Sequence, residues 1–182
     1  EKGQQTMKVT FVRHGQTDWN KEGKQQGKMD IPLNATGIEQ AHQTAELLKS
    51  EPFDRVYCSP LTRARQTAEI ICENRDIPII LEPRLIERDM GEFQGKDWKS
   101  FDSDLFWNYT ANVQYEKAEN IQVLFERVYQ FLDELKGKPG NVLLVSHGGV
   151  FAPVSSYAGN STKEDKLSDI LLANAQAFTF EI

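Results

Sequence analysis

The chain is poor in cysteine and histidine and has no long apolar run. It contains two cysteines and three histidines among 182 residues, and its formal net charge at pH 7 is -6. Two cysteines without a CxxC pair do not make a disulfide framework, and no segment reaches the roughly 18 apolar residues of a transmembrane helix. An acidic chain is also poorly suited to neutralising many nucleic-acid phosphates. We therefore expect no nucleic-acid or membrane partner, and a cytoplasmic protein whose Cys58 and Cys72 are buried free thiols.

Length and composition predict one globular domain. Hydrophobic residues make up 39% of the chain and charged residues 26%, which is ordinary for a protein with a sizeable core. Residues 1–6 are polar and lack the apolar stretch of a signal peptide. They precede Met7, so we interpret 1–6 as an appended remnant, Met7 as the natural start and 7–182 as the domain.

Strand and helix patterns alternate along the chain. Short apolar runs predict strands at 8–12, 54–58, 77–81, 141–145 and 176–182. Helical spacing predicts helices at 37–50, from Ser59-Pro60 onward, at 119–136 and after Gly149.

The buried face of the first helix is predicted to hold Ile38, Ala41, Ala45 and Leu48. In the second, Ser59 suits the N-cap and Pro60 the first helical position. Pro78 favours an edge position for its strand. The alternation predicts a three-layer α/β sandwich with a mainly parallel central sheet and helices on both faces.

One stretch departs from this alternation. Residues 93–115 carry aromatic side chains without clear periodicity, namely Phe93, Trp98, Phe101, Phe106, Trp107, Tyr109 and Tyr115. The stretch is predicted to be an excursion from the sheet. Two interpretations stay open: a lid over a site, or a satellite cluster packed on the core.

Two of the three histidines come directly after predicted strands. His14 follows the strand 8–12 and Arg13, and His147 follows the strand 141–145 and Ser146. A glycine comes next in both cases. Because ligands of open α/β sheets lie beyond the carboxyl ends of the strands, we predict a single site that contains both histidines.

The groups beside these histidines suit an anion. Arg13 is adjacent to His14, and Arg63 falls in the first turn of a predicted helix, whose N-terminus favours negative charge. Guanidinium groups match phosphate geometry, and Gly148 lets the backbone approach a ligand closely. A neutral imidazole can attack phosphorus itself, so His14 is the candidate nucleophile of a phosphoryl transfer. Two arginines disfavour a bound cation and no HExxH spacing occurs, so we expect no metal.

Phosphoryl transfer to a side chain also needs an acid for the leaving oxygen. The polar loop 84–95 offers Glu87, Asp89 and Glu92, and a buried carboxyl would suit the task. The residues themselves leave the choice open, although Glu92 is more typical of a solvated carboxylate. Three further polar residues are predicted to lie on the surface or in turns: His42, Arg65 and Asn174.

Five segments, in order, resemble the histidine phosphatase superfamily in its phosphoglycerate mutase-like branch. They are 13–20 (RHGQTDWN, like RHG[EQ]TxxN), 26–37, 59–68 (SPLTRARQTA), 85–95 and 145–149 (VSHGG). The resemblance implies that His14 is the phosphohistidine nucleophile, that Glu87 is the proton donor and that His147 contacts the phosphate. It further implies binding roles for Arg13, Arg63, Asn20, Gln26 and Gly27. It implies no metal or other cofactor.

The resemblance implies a phosphomonoester hydrolase that acts through a phosphohistidine on a small phosphorylated metabolite. Two alternatives are a phosphoglycerate mutase-type isomerase and a non-catalytic binding protein of the same fold. The mutases are longer and carry a tail over the site, whereas this chain ends at Ile182, and the loop 87–91 reads ERDMG rather than ERxYG. Hydrolysis is therefore favoured. The sequence predicts neither the exact substrate nor the oligomeric state.

Overall fold

Five strands form one sheet in a computed structural model, which describes residue 3 and residues 5–182. The strands are β1 (Met7–Arg13), β2 (Arg55–Cys58), β3 (Ile79–Leu81), β4 (Gly140–Ser146) and β5 (Ala177–Glu181). They lie in the order β3-β2-β4-β1-β5. All neighbours are parallel except β5, which is antiparallel to β1. Of the six residues interpreted as a remnant, 1, 2 and 4 lie outside the described residues.

Alternation along the central strands gives the sheet two apolar faces. In β4, Val142 and Leu144 join one buried cluster, whereas Leu143 and Val145 join the other, because successive strand side chains point to opposite faces. Both faces of a parallel sheet are normally covered by helices. The sheet therefore needs a helical layer on each side.

The helices supply those layers. They are α1 (Asp18–Glu22), α2 (Ala35–Leu47), α3 (Thr62–Ile71), α4 (Ser103–Phe106), α5 (Ile121–Leu135) and α6 (Gly148–Tyr157). Residues of α5 and α6 pack in the first cluster, and residues of α3 pack in the second. The predicted three-layer sandwich with a mainly parallel sheet is confirmed. None of the helices in the described part of the chain is long and apolar enough to cross a membrane.

Strand register places the two predicted site histidines side by side. β1 and β4 are parallel neighbours, with Arg13 paired to Ser146 at their carboxyl ends. The residue directly after each strand is a histidine, and the His14 backbone N–H donates to the Ser146 carbonyl at 2.9 Å. The ring centroids of His14 and His147 are 5.2 Å apart.

Two local predictions are wrong. The helix expected to begin at Ser59-Pro60 begins at Thr62. Ser59 turns inward to His147 (Oγ to Nε2, 2.7 Å), and the Thr62 N–H is instead bound by Asp30 at 2.7 Å.

Ile38, expected on the buried face of α2, is 41% exposed. The buried face runs through Gly37, Ala41 and Thr44 instead. The backbone of Gln16 approaches Gly37 so closely that a Cβ there would overlap it. The contact with Gln16 therefore sets which face of α2 points inward.

The segment 93–115 holds an aromatic cluster and also borders the site. Phe93 stacks on Phe101 at a centroid distance of 4.3 Å, and Phe106 and Tyr115 pack edge-on against Phe93. The segment is tied to the loop after α1 by backbone hydrogen bonds at Gly95–Gln25, Gln25–Lys96 and Trp98–Gly23. The aromatic contacts are those that the satellite-cluster interpretation expects, and lid movement stays a prediction.

Candidate active site

A cavity of about 720 Å³ opens beyond the carboxyl ends of β1 and β4. This is where an open α/β sheet is expected to bind its ligand. The predicted site residues that border the cavity are Arg13, His14, Asn20, Gln26, Gly27, Arg63, Glu87 and Gly148. His147 is fully buried beside His14. The structure therefore brings every predicted site residue to one place.

The hydrogen bond of His14 fixes the state of its ring. Nδ1 lies 2.6 Å from the carbonyl oxygen of Gly15, and a carbonyl only accepts, so Nδ1 carries the proton. Gly15 is itself held, because its N–H donates to Thr67 Oγ1 at 3.1 Å. Nε2 is left with its lone pair, which is the nitrogen required for attack on phosphorus.

The surroundings of His14 disfavour its protonation. Burial lowers its pKa well below the ordinary value, and the positive charges of Arg63 and Arg13 lower it further. The Gly15 carbonyl opposes this shift more weakly. His14 is therefore a neutral imidazole at neutral pH.

Arg63 joins His14 to the loop after α1. Its Nε donates to His14 Nε2 at 3.3 Å, and its terminal nitrogens donate to the carbonyls of Met29 at 2.6 Å and Gly27 at 2.8 Å. Burial lowers the pKa of Arg63 to about 10, so its guanidinium keeps its charge at neutral pH. These bonds use three of its five N–H groups, which leaves one N–H on each terminal nitrogen for a ligand.

Arg13 is held by the segment that precedes β5. Its Nη1 donates to the Leu172 carbonyl at 2.8 Å, in the segment before β5. Burial lowers its pKa, and the charge of Glu87 partly offsets this. Its Nε is buried and has no hydrogen-bond partner within the part of the chain that the structure describes. A buried donor without a partner costs about 1–3 kcal/mol, and an anion in the cavity can remove that cost.

His147 is oriented by Ser59. The Ser59 Oγ accepts the Leu61 N–H at 3.3 Å and lies 2.7 Å from His147 Nε2. The Ser59 hydroxyl proton can be donated to Nε2, an arrangement in which the imidazole proton lies on Nδ1. Nδ1 is buried and meets no partner among the described residues. Burial, together with Arg63, lowers the pKa of His147 well below its ordinary value, so the ring is neutral. With Ser59 as the donor to Nε2, Nδ1 carries the N–H.

Of the three candidate acids, Glu87 alone borders the cavity. Its two carboxylate oxygens accept N–H groups from Arg88 at 2.8 Å and Gly149 at 3.0 Å. Glu87 is half-buried rather than buried. Asp89 binds the Gly91 N–H at 2.9 Å, and Glu92 is exposed. The loop that carries Glu87 is anchored to the sheet, since Ser146 Oγ donates to the Leu85 carbonyl at 2.6 Å.

Thr17 orients two amides at the cavity. The side-chain oxygen of Asn20 accepts the Thr17 backbone N–H at 3.1 Å, and that of Gln26 accepts the Thr17 hydroxyl at 2.6 Å. Asn174 also donates to the Asn20 oxygen, at 3.2 Å. With both oxygens occupied on this side, the NH₂ groups of Asn20 and Gln26 are the groups left for an anion.

Sequence reasoning missed several residues that shape the site. Ser59 is predicted only as a helix N-cap, Thr17 has no role of its own within its motif, and Asn174 is favoured as a turn residue over a structural contact. It lies in a turn, and its side chain also donates to the His14 carbonyl at 3.2 Å. Arg88 is fully buried, with its guanidinium 3.6 Å from the ring centroid of Phe106. No local pattern marked Arg88, because its partners lie in the irregular 93–115 segment and at Glu119.

The residues expected to lie outside the site do so. His42 and Arg65 are exposed. Cys58 and Cys72 are buried free thiols, and burial raises the pKa of Cys58 to about 12. Over the described ranges, no group of three or more His, Cys, Asp or Glu side chains is placed to hold a metal ion.

Comparisons with known proteins agree with this geometry. The family model described as histidine phosphatase superfamily (branch 1) matches residues 9–182. The uncharacterized phosphatase PhoE of Bacillus subtilis (strain 168) is 38% identical over 92% of this chain and 84% of its own length. The adenosylcobalamin/alpha-ribazole phosphatase of Salmonella typhimurium (strain LT2) is 35% identical over 80% of this chain and 76% of its own.

A mutase-named relative and a solved structure extend the comparison. The probable phosphoglycerate mutase GpmB of Enterobacter sp. (strain 638) is 40% identical over 78% of this chain and 70% of its own. A mycobacterial glucosyl-3-phosphoglycerate phosphatase has a TM-score of 0.83 at 27% identity, covering 94% of this chain and 90% of that one. Phosphatases thus recur among the relatives and structural neighbours of this chain.

Proposed function

The chain belongs to the histidine phosphatase superfamily (branch 1), and from this premise we propose that it hydrolyses small phosphomonoesters through a phosphohistidine at His14. The observation that carries the proposal is the state of His14. Its Nδ1 is bound to the Gly15 carbonyl and its Nε2 lies 3.3 Å from Arg63 Nε. A neutral nucleophile thus stands beside a fixed cation, as phosphoryl transfer requires.

In the first step His14 Nε2 attacks phosphorus opposite the ester oxygen. The N–P bond forms as the P–O bond to the alcohol breaks, and Glu87 gives its proton to the leaving oxygen. Arg13, Arg63 and the Nδ1–H of His147 hold the three remaining phosphate oxygens. The amides of Asn20 and Gln26 and the backbone at Gly27 and Gly148 complete the pocket.

In the second step water releases the phosphate. Glu87, now ionised, accepts a proton from water as the water oxygen attacks phosphorus. The N–P bond breaks, inorganic phosphate leaves, and His14 returns to its neutral state. Both steps use only groups of this chain and water, so we propose that turnover needs no metal ion. Unchanged turnover after treatment with a chelator is the expected result.

Two hydroxyl groups serve this mechanism through other residues. Ser59 is a positioning residue because the hydrogen bond that its hydroxyl donates to His147 Nε2 leaves the imidazole proton on Nδ1, which then donates to phosphate. Thr17 is a positioning residue because it binds the oxygens of two amides and so presents their NH₂ groups. Orientation of donors before the charge develops is a large part of such catalysis.

A cytoplasmic location fits this proposal, since both cysteines are buried thiols and small phosphate esters are expected there. We therefore propose that the protein acts on such esters in the cytoplasm.

Covalent trapping tests the proposal. The enzyme is mixed with p-nitrophenyl phosphate, quenched in alkali, and assayed for protein-bound phosphate that is stable in alkali and released in acid. We expect this adduct on wild type and none on His14→Ala. Equal labelling of the two proteins would refute the role of His14.

A mutase is the second candidate, because relatives named as probable phosphoglycerate mutases are up to 40% identical. A mutase returns the phosphoryl group to a second hydroxyl before water enters. Free phosphate and isomerised product are therefore measured together during turnover of 3-phosphoglycerate, with a bisphosphorylated primer present. We expect phosphate release to dominate, and dominant isomerisation would favour the mutase.

A further inference from the structure

We infer that the outer cavity selects phosphomonoesters whose leaving alcohol is uncharged and carries a flat apolar body, and disfavours alcohols with a second anionic group. The outer cavity is the part of the cavity bordered by Trp98, Asp104, Trp107, Lys166 and Leu171. The inference rests on the proposed function, since it concerns the leaving group at the same site.

The positive charges of the outer cavity are already matched. Beyond the two arginines, the cations that border the cavity are Lys24 and Lys166. Lys24 Nζ lies 2.7 Å from a Glu22 carboxylate oxygen. Lys166 Nζ lies 3.4 Å from Asp104 and 3.7 Å from Asp169. Two of these three carboxylates border the cavity themselves, so the wall gains no net positive charge from its lysines.

A second anion on the substrate therefore finds no free counter-charge among the described residues of the outer cavity. Each of these exposed ion pairs is individually weak. A substrate carboxylate would nevertheless have to displace a protein carboxylate to reach either lysine, and it would be repelled by the one displaced. The substrate carboxylate would therefore lose its contact with water without gaining a compensating positive charge. Within the described part of the chain, the positive charge left free for a substrate is that of Arg13 and Arg63, which one phosphate occupies.

An aromatic ring lies where the leaving alcohol must pass. Gly149 donates its N–H to Glu87 at 3.0 Å, and a Cβ placed on Gly149 would come within 2.6 Å of the Trp107 ring. The indole therefore lies directly against the segment that holds the proposed acid. Because the leaving oxygen must reach Glu87, the body of the alcohol lies near Trp107.

Further apolar surface extends outward from this point. Trp98 is 48% exposed and Leu171 is 73% exposed, and both border the cavity. Exposed large apolar side chains beside a cavity are typical of ligand contacts. The cavity volume of about 720 Å³ falls within the roughly 300–1,000 Å³ of sites for drug-sized ligands. It therefore has room for more than a three-carbon alcohol.

Two matched substrate pairs test the inference on wild type. Glycerol 3-phosphate and 3-phosphoglycerate differ mainly in a carboxylate, and we expect kcat/KM to be at least tenfold lower for 3-phosphoglycerate. Phenyl phosphate and 1-naphthyl phosphate differ in apolar area, and we expect at least a fivefold higher kcat/KM for the naphthyl ester. Equal values within either pair would overturn the part of the inference that the pair tests.

Variants of the wall then assign the selection to residues. Trp98→Ala is expected to lower the ratio of kcat/KM for 1-naphthyl to glycerol phosphate at least fivefold, because the substrate loses an aromatic contact. Asp104→Asn combined with Asp169→Asn should raise the ratio for 3-phosphoglycerate to glycerol 3-phosphate at least threefold. The control is Leu47→Ala, at an 84% exposed position on α2, which should keep both wild-type ratios. Unchanged ratios in the wall variants would contradict the assignment.

Trapping with p-nitrophenyl phosphate separates this inference from the proposed function. If wild type forms no adduct at His14, the proposed function fails and the inference fails with it. If the adduct forms but neither substrate pair is discriminated, only the inference fails.

Discussion

The cavity floor is largely buried and held in place, whereas the outer cavity is half in solvent. The floor consists of Arg13, His14 and Arg63, together with His147 directly behind His14. His14 is 2% exposed, and Arg63 and His147 are 0% exposed. In the outer cavity, by contrast, Trp98 and Leu171 are 48% and 73% exposed. The floor lies on adjacent strands and a helix start, while the outer cavity comes from the 93–115 segment and the loop before β5.

The difference separates the reaction from the choice of substrate. Floor groups have fixed partners, so their protonation and direction are set before a ligand arrives, which is what electrostatic catalysis needs. Outer groups have few buried contacts, and exposed positions tolerate change with little effect on stability. Substitutions in the floor should therefore change the rate for every substrate, and those outside it should change the ratios between substrates.

The largest expected effect is that of His14→Ala. Removal of the nucleophile should lower kcat by at least about 10³-fold for every substrate, as loss of a catalytic nucleophile does elsewhere. The measurement is kcat on p-nitrophenyl and 1-naphthyl phosphate. If kcat fell for only one of the two substrates, His14 would act in substrate selection, as the outer cavity is expected to, and the division between floor and outer cavity would be wrong.

The second effect is that of Glu87→Gln, which keeps the shape but cannot carry the proton. We expect kcat to fall about 10²–10⁴-fold, the usual contribution of general acid–base catalysis. The first step should suffer less with p-nitrophenyl phosphate, whose leaving group needs little protonation. A rapid burst of p-nitrophenol followed by slow turnover is the expected trace. Equal slowing of the first step for poor and good leaving groups would argue against Glu87 as the acid.

The third effect is on stability at acid pH. Burial lowers the pKa of His14 and His147 in the folded state below the ordinary value. Below about pH 6.5 the unfolded chain therefore binds more protons, and the free energy of unfolding falls as the pH falls toward the folded-state pKa values. Each histidine contributes up to about 1.4 kcal/mol per pH unit. Urea unfolding of His14→Gln and His147→Gln is measured between pH 7 and 5. The free energy of unfolding of each variant should fall less steeply with falling pH than that of wild type. An equal pH dependence in variant and wild type would contradict the prediction.

The fourth effect is that of Ser59→Ala. Loss of the hydroxyl frees the His147 ring to take the other tautomer, and we expect kcat to fall about 10- to 100-fold, the effect seen when the hydrogen-bond partner of a metal-bound histidine is lost. Ser59→Thr keeps the hydroxyl and should restore most of the rate. The pH profile of kcat should also change in the alanine variant. If alanine and threonine are equally slow, Ser59 acts only in packing.

The smallest effect is that of Leu171→Ser in the outer cavity. This residue is 73% exposed, so the free energy of unfolding should change by less than about 0.5 kcal/mol. The value of kcat on p-nitrophenyl phosphate should stay within about threefold of wild type, since this side chain takes no part in the proposed mechanism. Thermal unfolding and steady-state kinetics check both values. A tenfold loss of kcat would show that the floor depends on the outer cavity.

The same division governs what the sequence could predict. His14 and His147 each end a clear apolar strand, so the pattern placed both at the carboxyl edge of the sheet, and the RHG and SHGG motifs marked their neighbours. Ser59 escaped because its local pattern is that of a helix N-cap, while its actual partner is His147, 88 positions away in the chain. A contact with a distant side chain overrode the local preference.

The outer cavity could not be predicted for a related reason. Trp98 and Trp107 lie in a segment without periodicity, so their direction depends on backbone pairing with residues 23–25 and on the aromatic cluster around Phe93. Lys166 and Asp104 are 62 positions apart and meet only once α4 and the loop after α6 are placed. The types of two side chains do not indicate whether residues far apart in the chain will be in contact.

The atom of His14 that carries phosphate gives the most direct test of the central claim. Wild type is trapped with p-nitrophenyl phosphate and digested, and the phosphohistidine isomer is identified by phosphorus NMR against authentic standards. Because Nδ1 is bound to the Gly15 carbonyl at 2.6 Å, the account predicts phosphate on Nε2 of His14. Phosphate on Nδ1, or on His147, would contradict it.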